Sequence, residues 1–216
     1  MIQPSALSRR ILSSAIIVAT LGLSGCFGLA VTGAAIGTVA VLDRRSLGAQ
    51  TEDQTIELRG ARVLNEVVNR SDNAAVAVTS FNRRVLLTGQ VPSEEVRKQA
   101  EEAVRSRVPN IKDLYNETEV KRVESFSGET RDTTLTAQVK AGMVRERHLT
   151  SSAIKVVTER AIVYLMGVVT HEEGQRAAIV ASQVQGVRKV VTLFEYVTPA
   201  DLARIQGTDE PGEGDQ

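Results

Sequence analysis

An α+β protein made of two tandem copies of one small unit is the fold class that this 216-residue sequence predicts, on three observations. Val85-Leu86-Leu87-Thr88-Gly89-Gln90-Val91-Pro92-Ser93-Glu94-Glu95 aligns with Val163-Tyr164-Leu165-Met166-Gly167-Val168-Val169-Thr170-His171-Glu172-Glu173 at a constant offset of 78, as an internal repeat does. In each copy, β-rich runs are flanked by stretches with helical apolar spacing. Seven aromatic residues, none of them Trp, suit two modest aliphatic cores better than one large one.

Residues 1–25 read as a secretory signal: Arg9 and Arg10, the uncharged run Ile11 to Leu23, then small Ser24 and Gly25 ahead of Cys26, the only cysteine. Nothing is charged from Ile11 through Leu42, long enough to span a bilayer if left uncut. Gly22, Gly25, Gly28, Gly33 and Gly37 dilute that run and favour processing over a transmembrane helix. Residues 26–50 follow as a tether whose first half is small and apolar.

The first unit is placed at 51–121. Ile56, Val63, Leu64 and Val67 give residues 53–70 a helical stripe, and Val76 and Val78 begin a hairpin completed by 84–91. Its turn, Asn82-Arg83, lacks the glycine that tight hairpins favour. Ser93 N-caps a helix with Val96, Ala100, Ala103 and Val104 on one face, ending near Pro109-Asn110. A closing strand runs from Ile111 to Val120. After a polar linker, 122–131, the second unit spans 132–198: helix 132–146 with Leu135, Val139 and Met143, strands around Ile154 and Val156 and over 162–169, a helix capped by Thr170 and ended by Gly186, and a closing strand from Val187 to Val197. Each unit is thus helix-strand-strand-helix-strand, a three-stranded mixed sheet under two helices. The acidic tail, 199–216, is expected to be disordered.

Composition excludes several functions. Loss of residues 1–25 leaves 24 basic against 26 acidic side chains, a formal charge of −2, so no basic field for nucleic acid exists. His148 and His171 are the only histidines, and no nucleophile–base pair, metal-ligand spacing or phosphate loop is present. No catalytic residue, no metal site and no cofactor are expected. The copies differ in one informative place: Glu101 and Glu102 of the first are replaced by Ile179 and Val180 in the second. These two residues are a candidate interface, either between the domains or with an envelope protein partner, the alternative being that a more curved sheet in the second unit buries them.

Leu23-Ser24-Gly25-Cys26 resembles the bacterial lipobox, which implies diacylglycerol on the Cys26 thiol, cleavage before it and acylation of the new amino group. Phe27, where an aspartate would retain the protein in the inner membrane, implies the periplasmic leaflet of the outer membrane. The Val-x-Leu-x-Gly-x-Val pattern of both copies, the junctions at Gly89 and Gly167, and Gly186-Val187-x-x-Val190 resemble the BON domain. With Asp43-Arg44-Arg45-Ser46-Leu47-Gly48-Ala49-Gln50, Leu114-Tyr115-Asn116-Glu117 and Tyr164-Leu165-Met166-Gly167, the chain resembles the dual-BON outer-membrane lipoproteins over roughly 20–198. The resemblance implies a non-enzymatic protein that supports outer-membrane integrity under envelope stress. It implies binding of anionic phospholipid through the first helix of the second domain, at Thr134, Leu135, Gln138, Lys140 and Arg145. Family members carry a Trp near the start of that helix, where this chain has Thr134. The residues alone favour a plainer reading, with Leu135, Val139 and Met143 packed on the sheet and the cations solvated, since one apolar stripe cannot serve both core and lipid.

Overall fold

The computed structural model describes residues 43–69, 73–122 and 129–206. Cys26, the signal segment, residues 26–42 of the tether and the 207–216 tail lie outside them. The described residues belong to one compact unit, within which the repeat folds as two sheet-and-helix domains.

In the first domain, Ser46 caps α1 (Leu47–Leu64) by accepting from the Ala49 N–H at 3.1 Å. The helix continues into a π turn, Asn65–Asn69. Strands β1 (Ala75–Phe81) and β2 (Arg84–Val91) form an antiparallel hairpin, Ala75 opposite Gln90 and Phe81 opposite Arg84. Ser93 caps α2 (Glu94–Arg107), and the chain returns parallel to β2. The closing strand is split into β3 (Asp113–Asn116) and β4 (Glu119–Val120). Between them, the Asn116 side-chain oxygen accepts from the Thr118 hydroxyl at 2.6 Å.

The second domain repeats the order with α3 (Glu129–Arg145), β5 (Ile154–Glu159), β6 (Ile162–Val169), α4 (His171–Ser182) and β7 (Lys189–Tyr196). β5 and β6 are antiparallel and β7 runs parallel to β6 along its whole length. Thr170 and Glu173 make a reciprocal capping box at the start of α4.

The hairpin turns are built without glycine. Asn82 and Arg83, and likewise Arg160 and Ala161, all have positive φ between 51° and 64°, the type I′ requirement. In each case an aspartate from the first helix binds the turn. Asp53 accepts from the Asn82 and Arg83 N–H groups, both at 2.7 Å, and Asp132 accepts from those of Arg160 and Ala161 at 2.6 and 2.8 Å. A side chain far away in sequence supplies what the turn residues lack.

Three boundaries differ from expectation. α1 starts at Leu47, inside the stretch assigned to the tether, because Ser46 caps it. α3 starts at Glu129, inside the stretch assigned to the linker. Residues 199–206 of the tail form a helix, α5 (Pro199–Gln206), because Thr198 and Asp201 cap it reciprocally: the Asp201 N–H donates to the Thr198 hydroxyl, which donates to the Asp201 carboxylate at 2.6 Å. Pro199 follows that cap, where its missing N–H costs nothing. Gly186 (φ 99°) lies beyond the end of α4 at Ser182.

Each domain has its own aliphatic core between helices and sheet. Ile56, Leu64, Val85, Leu87 and Val104 fill the first, and Val139, Met143, Val163, Leu165 and Ala177 the second. A third cluster joins the domains. Phe81 and Leu86 from the outer face of the first sheet pack with Tyr164, Met166, Val168 and Leu193 from that of the second. At one margin Lys155 Nζ of β5 bonds Glu57 of α1 (2.7 Å) and the Ser80 carbonyl of β1 (3.2 Å). Elsewhere Glu195 accepts from Asn82 at 2.8 Å and pairs with Arg84 and Lys112. The domains therefore meet through their sheets, whose apolar residues alternate to both faces, and not through the Ile179/Val180 surface.

Candidate membrane-facing site

On α3 the apolar stripe is consumed by the fold. Leu135, Val139 and Met143 are buried, so Leu135, named as a phospholipid-binding candidate, belongs to the protein interior and is not available to a bilayer. Thr134, Gln138, Lys140 and Arg145 are exposed. With Ala137, Ala141 and Val144 they make up the outer face, and Val144 is 70% exposed. Asp132 is turned inward onto the hairpin. Among the described residues, Lys140, Arg145 and Arg147 enter no ion pair. The face is thus small, weakly apolar and cationic, with no large hydrophobic anchor at Thr134.

Ile179 and Val180 part company. Val180 packs on the core of its own domain, and an added Cβ at Gly142 of α3 would come within 2.9 Å of it. Ile179 is 56% exposed and lines a shallow groove between α4 and β7 with Ala178, Val187 and Val190. The domain–domain alternative for this pair is replaced by the sheet-to-sheet contact. His171 is exposed and stacks on Tyr196 with ring centroids 4.2 Å apart.

The sequence reasoning missed the work done by Asp43-Arg44-Arg45-Ser46. Arg44, whose side chain is 2% exposed, reaches into the second domain. It donates to both Glu173 oxygens at 2.6 and 2.8 Å, to the Val168 carbonyl at 2.9 Å and to Thr150 at 3.2 Å. Burial opposes ionisation of Glu173, but the Arg44 hydrogen bonds and the Thr170 N–H outweigh it and hold the carboxyl below the usual range. Arg45 turns to the first domain, pairing with Asp43 and Asp53 at 2.8 Å each and lying 4.1 Å over the Phe81 ring. Four consecutive residues just after the tether thus clip onto both domains and start α1. Only the run of charged residues at the end of the tether could have signalled this.

Among the described residues, no helix is long and apolar enough to cross a membrane, and no group of three or more His, Cys, Asp or Glu could hold a metal ion.

The model of the BON domain matches residues 52–122 and 131–198, the two sheet-and-helix domains just described. The chain belongs to the BON-domain family, and within it to the dual-BON outer-membrane lipoproteins. It is 34% identical over 179 residues to the outer membrane lipoprotein DolP of Haemophilus influenzae, covering 83% of this chain and 92% of that one. It is 28% identical over 156 residues to a 21 kDa hemolysin of Actinobacillus pleuropneumoniae, covering 72% and 80%. It is 29% identical over 142 residues to the osmotically-inducible protein Y of Escherichia coli, covering 63% and 67%. These relatives place the protein among envelope-associated BON-domain lipoproteins.

Proposed function

We propose that this protein is a non-enzymatic lipoprotein, acylated at Cys26 and facing the periplasm from the outer membrane, that binds anionic phospholipid through α3 and supports membrane integrity under stress. The observation that carries the reading is the outer face of α3 with the turn that follows it: Lys140 and Arg145 on the helix and Arg147 just beyond it enter no ion pair among the described residues, around a weakly apolar surface of Ala137, Ala141 and Val144. Cations near an anionic leaflet gain about 1 kcal/mol each, and two or three acyl chains make an anchor effectively permanent. An anchored α3 therefore needs only weak affinity, because the tether supplies a high local concentration. The buried Leu135 leaves headgroup contact, more than insertion, as the mode of binding, with Thr134 and Gln138 as polar neighbours of the phosphates.

The test is flotation of residues 43–216 with phosphatidylglycerol-containing or purely zwitterionic vesicles, at low and high salt. Salt-sensitive binding to the anionic vesicles, lost in Lys140→Glu/Arg145→Glu, is expected. A protein that stays unbound with every vesicle removes this reading. A second reading is favoured by exposed Ile179 and its groove: an envelope protein docks there, in which case Ile179→Glu abolishes capture of that partner while leaving the fold intact.

A further inference from the structure

The first domain carries a helix face that neither its core nor its neighbour uses. α1 buries Ile56, Gly60, Val63 and Leu64. On the opposite side, Leu47 and Leu58 are 69% and 70% exposed, the most exposed large aliphatic residues of this domain. At 3.6 residues per turn, Leu47, Gln54, Leu58, Ala61 and Asn65 fall along one line, flanked by Thr51 and Arg62, with Arg59 further round.

The charges of the segment are sorted. Residues 47–69 hold four carboxylates, and each is held by a protein partner. Glu52 takes the Asn110 amide at 2.6 Å and pairs with Arg83. Asp53 holds the hairpin. Glu57 binds Lys155 and the Ser80 N–H. Glu66 pairs with Arg107 at 2.6 Å. Arg59 and Arg62 are exposed and, among the described residues, enter no ion pair. The outer line of an 18-residue helix therefore shows two leucines with two arginines to one side of them, and the exposed carboxylate nearest to it, Glu66, is engaged by Arg107.

The placement of this helix supplies the occupant. Its first residue lies four positions after Asp43, where the clipped segment meets the tether. Residues 27–42 extend at most roughly 55 Å, so α1 starts within short reach of a bilayer holding Cys26. α1 covers β1 and α3 covers β5 on the faces turned away from the sheet-to-sheet contact, so the two first helices lie on opposite sides of the sheet pair.

We propose that α1 is a second membrane-contacting helix, seating Leu47 and Leu58 at the acyl boundary of an anionic bilayer and placing Arg59 and Arg62 on its phosphates. This has the composition of an interfacial helix, apolar residues on one line with cations beside them. The site is independent of α3 and lies on the other side of the sheet pair, so a chain held through α1 turns a different face to the bilayer from one held through α3.

The experiment uses the full chain reconstituted into phosphatidylglycerol-containing or phosphatidylcholine vesicles. An environment-sensitive fluorophore is placed at Gln54→Cys on α1 or at Gln138→Cys on α3, with spin-labelled lipid as quencher. The proposal predicts quenching at position 54 in the anionic vesicles, weakened roughly five-fold for each arginine changed to glutamine and reduced in Leu58→Ser. All these positions are on the surface, so circular dichroism melts should stay at the parent value. Quenching at 138 with none at 54 overturns the proposal and leaves the α3 reading standing. Quenching at 54 alone upholds it and removes the α3 reading. A label at 54 that no synthetic vesicle affects, but that native outer-membrane vesicles shield, marks the face as a protein-docking surface and also overturns the proposal.

Discussion

Replacing Asp53 by alanine should unfold the first domain's hairpin far more readily than the matching change at Asp132 affects the second. Asp53 is buried and accepts four hydrogen bonds: the Ser80 hydroxyl at 2.7 Å, the Asn82 and Arg83 N–H groups, and Arg45 Nη1 at 2.8 Å. Its loss strands a fully buried hydroxyl and two N–H groups in a turn whose residues sit at positive φ, and leaves Arg45 with Asp43 as its carboxylate partner. Each buried donor left unmatched costs about 1–3 kcal/mol, and the loss of one of the two carboxylates that face Arg45 adds to this. Partial access of water to the turn brings the total for Asp53→Ala to about 4 kcal/mol. Among the described residues Asp132 accepts from the two turn N–H groups through the bonds described above, so Asp132→Ala should cost about 2 kcal/mol. Asp53→Asn, which keeps an acceptor but loses the charge facing Arg45, should fall between them. Urea titration with the m-value held constant, read alongside segment-resolved hydrogen exchange to assign the loss to a domain, measures all three. A cost below about 1 kcal/mol for Asp53→Ala, or equal costs for the two alanine variants, would refute the account of how these glycine-free turns are held.

Three further outcomes follow from the same geometry. At Gly89 (φ 115°) a Cβ would lie 1.9 Å from the Ala75 carbonyl oxygen, against 2.6 Å from that of Ala153 at Gly167, so both alanine variants should be destabilised, by more than about 3 kcal/mol at Gly89, as thermal melts will show. Met166→Glu places a charge in the cluster joining the sheets and should separate the domains with each still folded, read as faster protease cleavage at 123–128 and a larger radius of gyration. Glu173 titrates below an unfolded glutamate, so its stabilisation is complete above about pH 4.3, the ordinary glutamate value, and is lost as pH falls through the lower folded value. Glu173→Gln should be less stable than the parent at neutral pH and lose less on acidification below that value, as pH-dependent urea midpoints will test.

What could be read in the sequence was what repeats locally. The offset between Val85 and Val163, the caps Ser93 and Thr170, and the stripe Leu135-Val139-Met143 gave the order and faces of the elements, because each depends on residues a few positions apart. The contacts that join distant parts left no such trace. Asp53 and Asp132 hold turns about thirty residues downstream, and Arg44 binds Glu173 across 129 positions. The contact between the sheets was missed for a related reason: Leu86, Tyr164, Met166 and Val168 alternate with core residues on strands buried on both faces, so the runs 84–91 and 162–169 read as simply apolar. Of the candidate site, the cations of α3 were legible as charges, whereas the removal of Leu135 into the core and of Val180 beneath α3 depended on packing.

The central claim is that α3 meets an anionic membrane surface, and hydrogen exchange over residues 129–145 of the full chain tests it most directly. The chain is reconstituted into phosphatidylglycerol-containing vesicles and compared with the same chain in phosphatidylcholine alone. Slower exchange on the anionic surface, returned to the phosphatidylcholine rate by Lys140→Glu/Arg145→Glu, is the result the account predicts; identical exchange in both vesicles would contradict it.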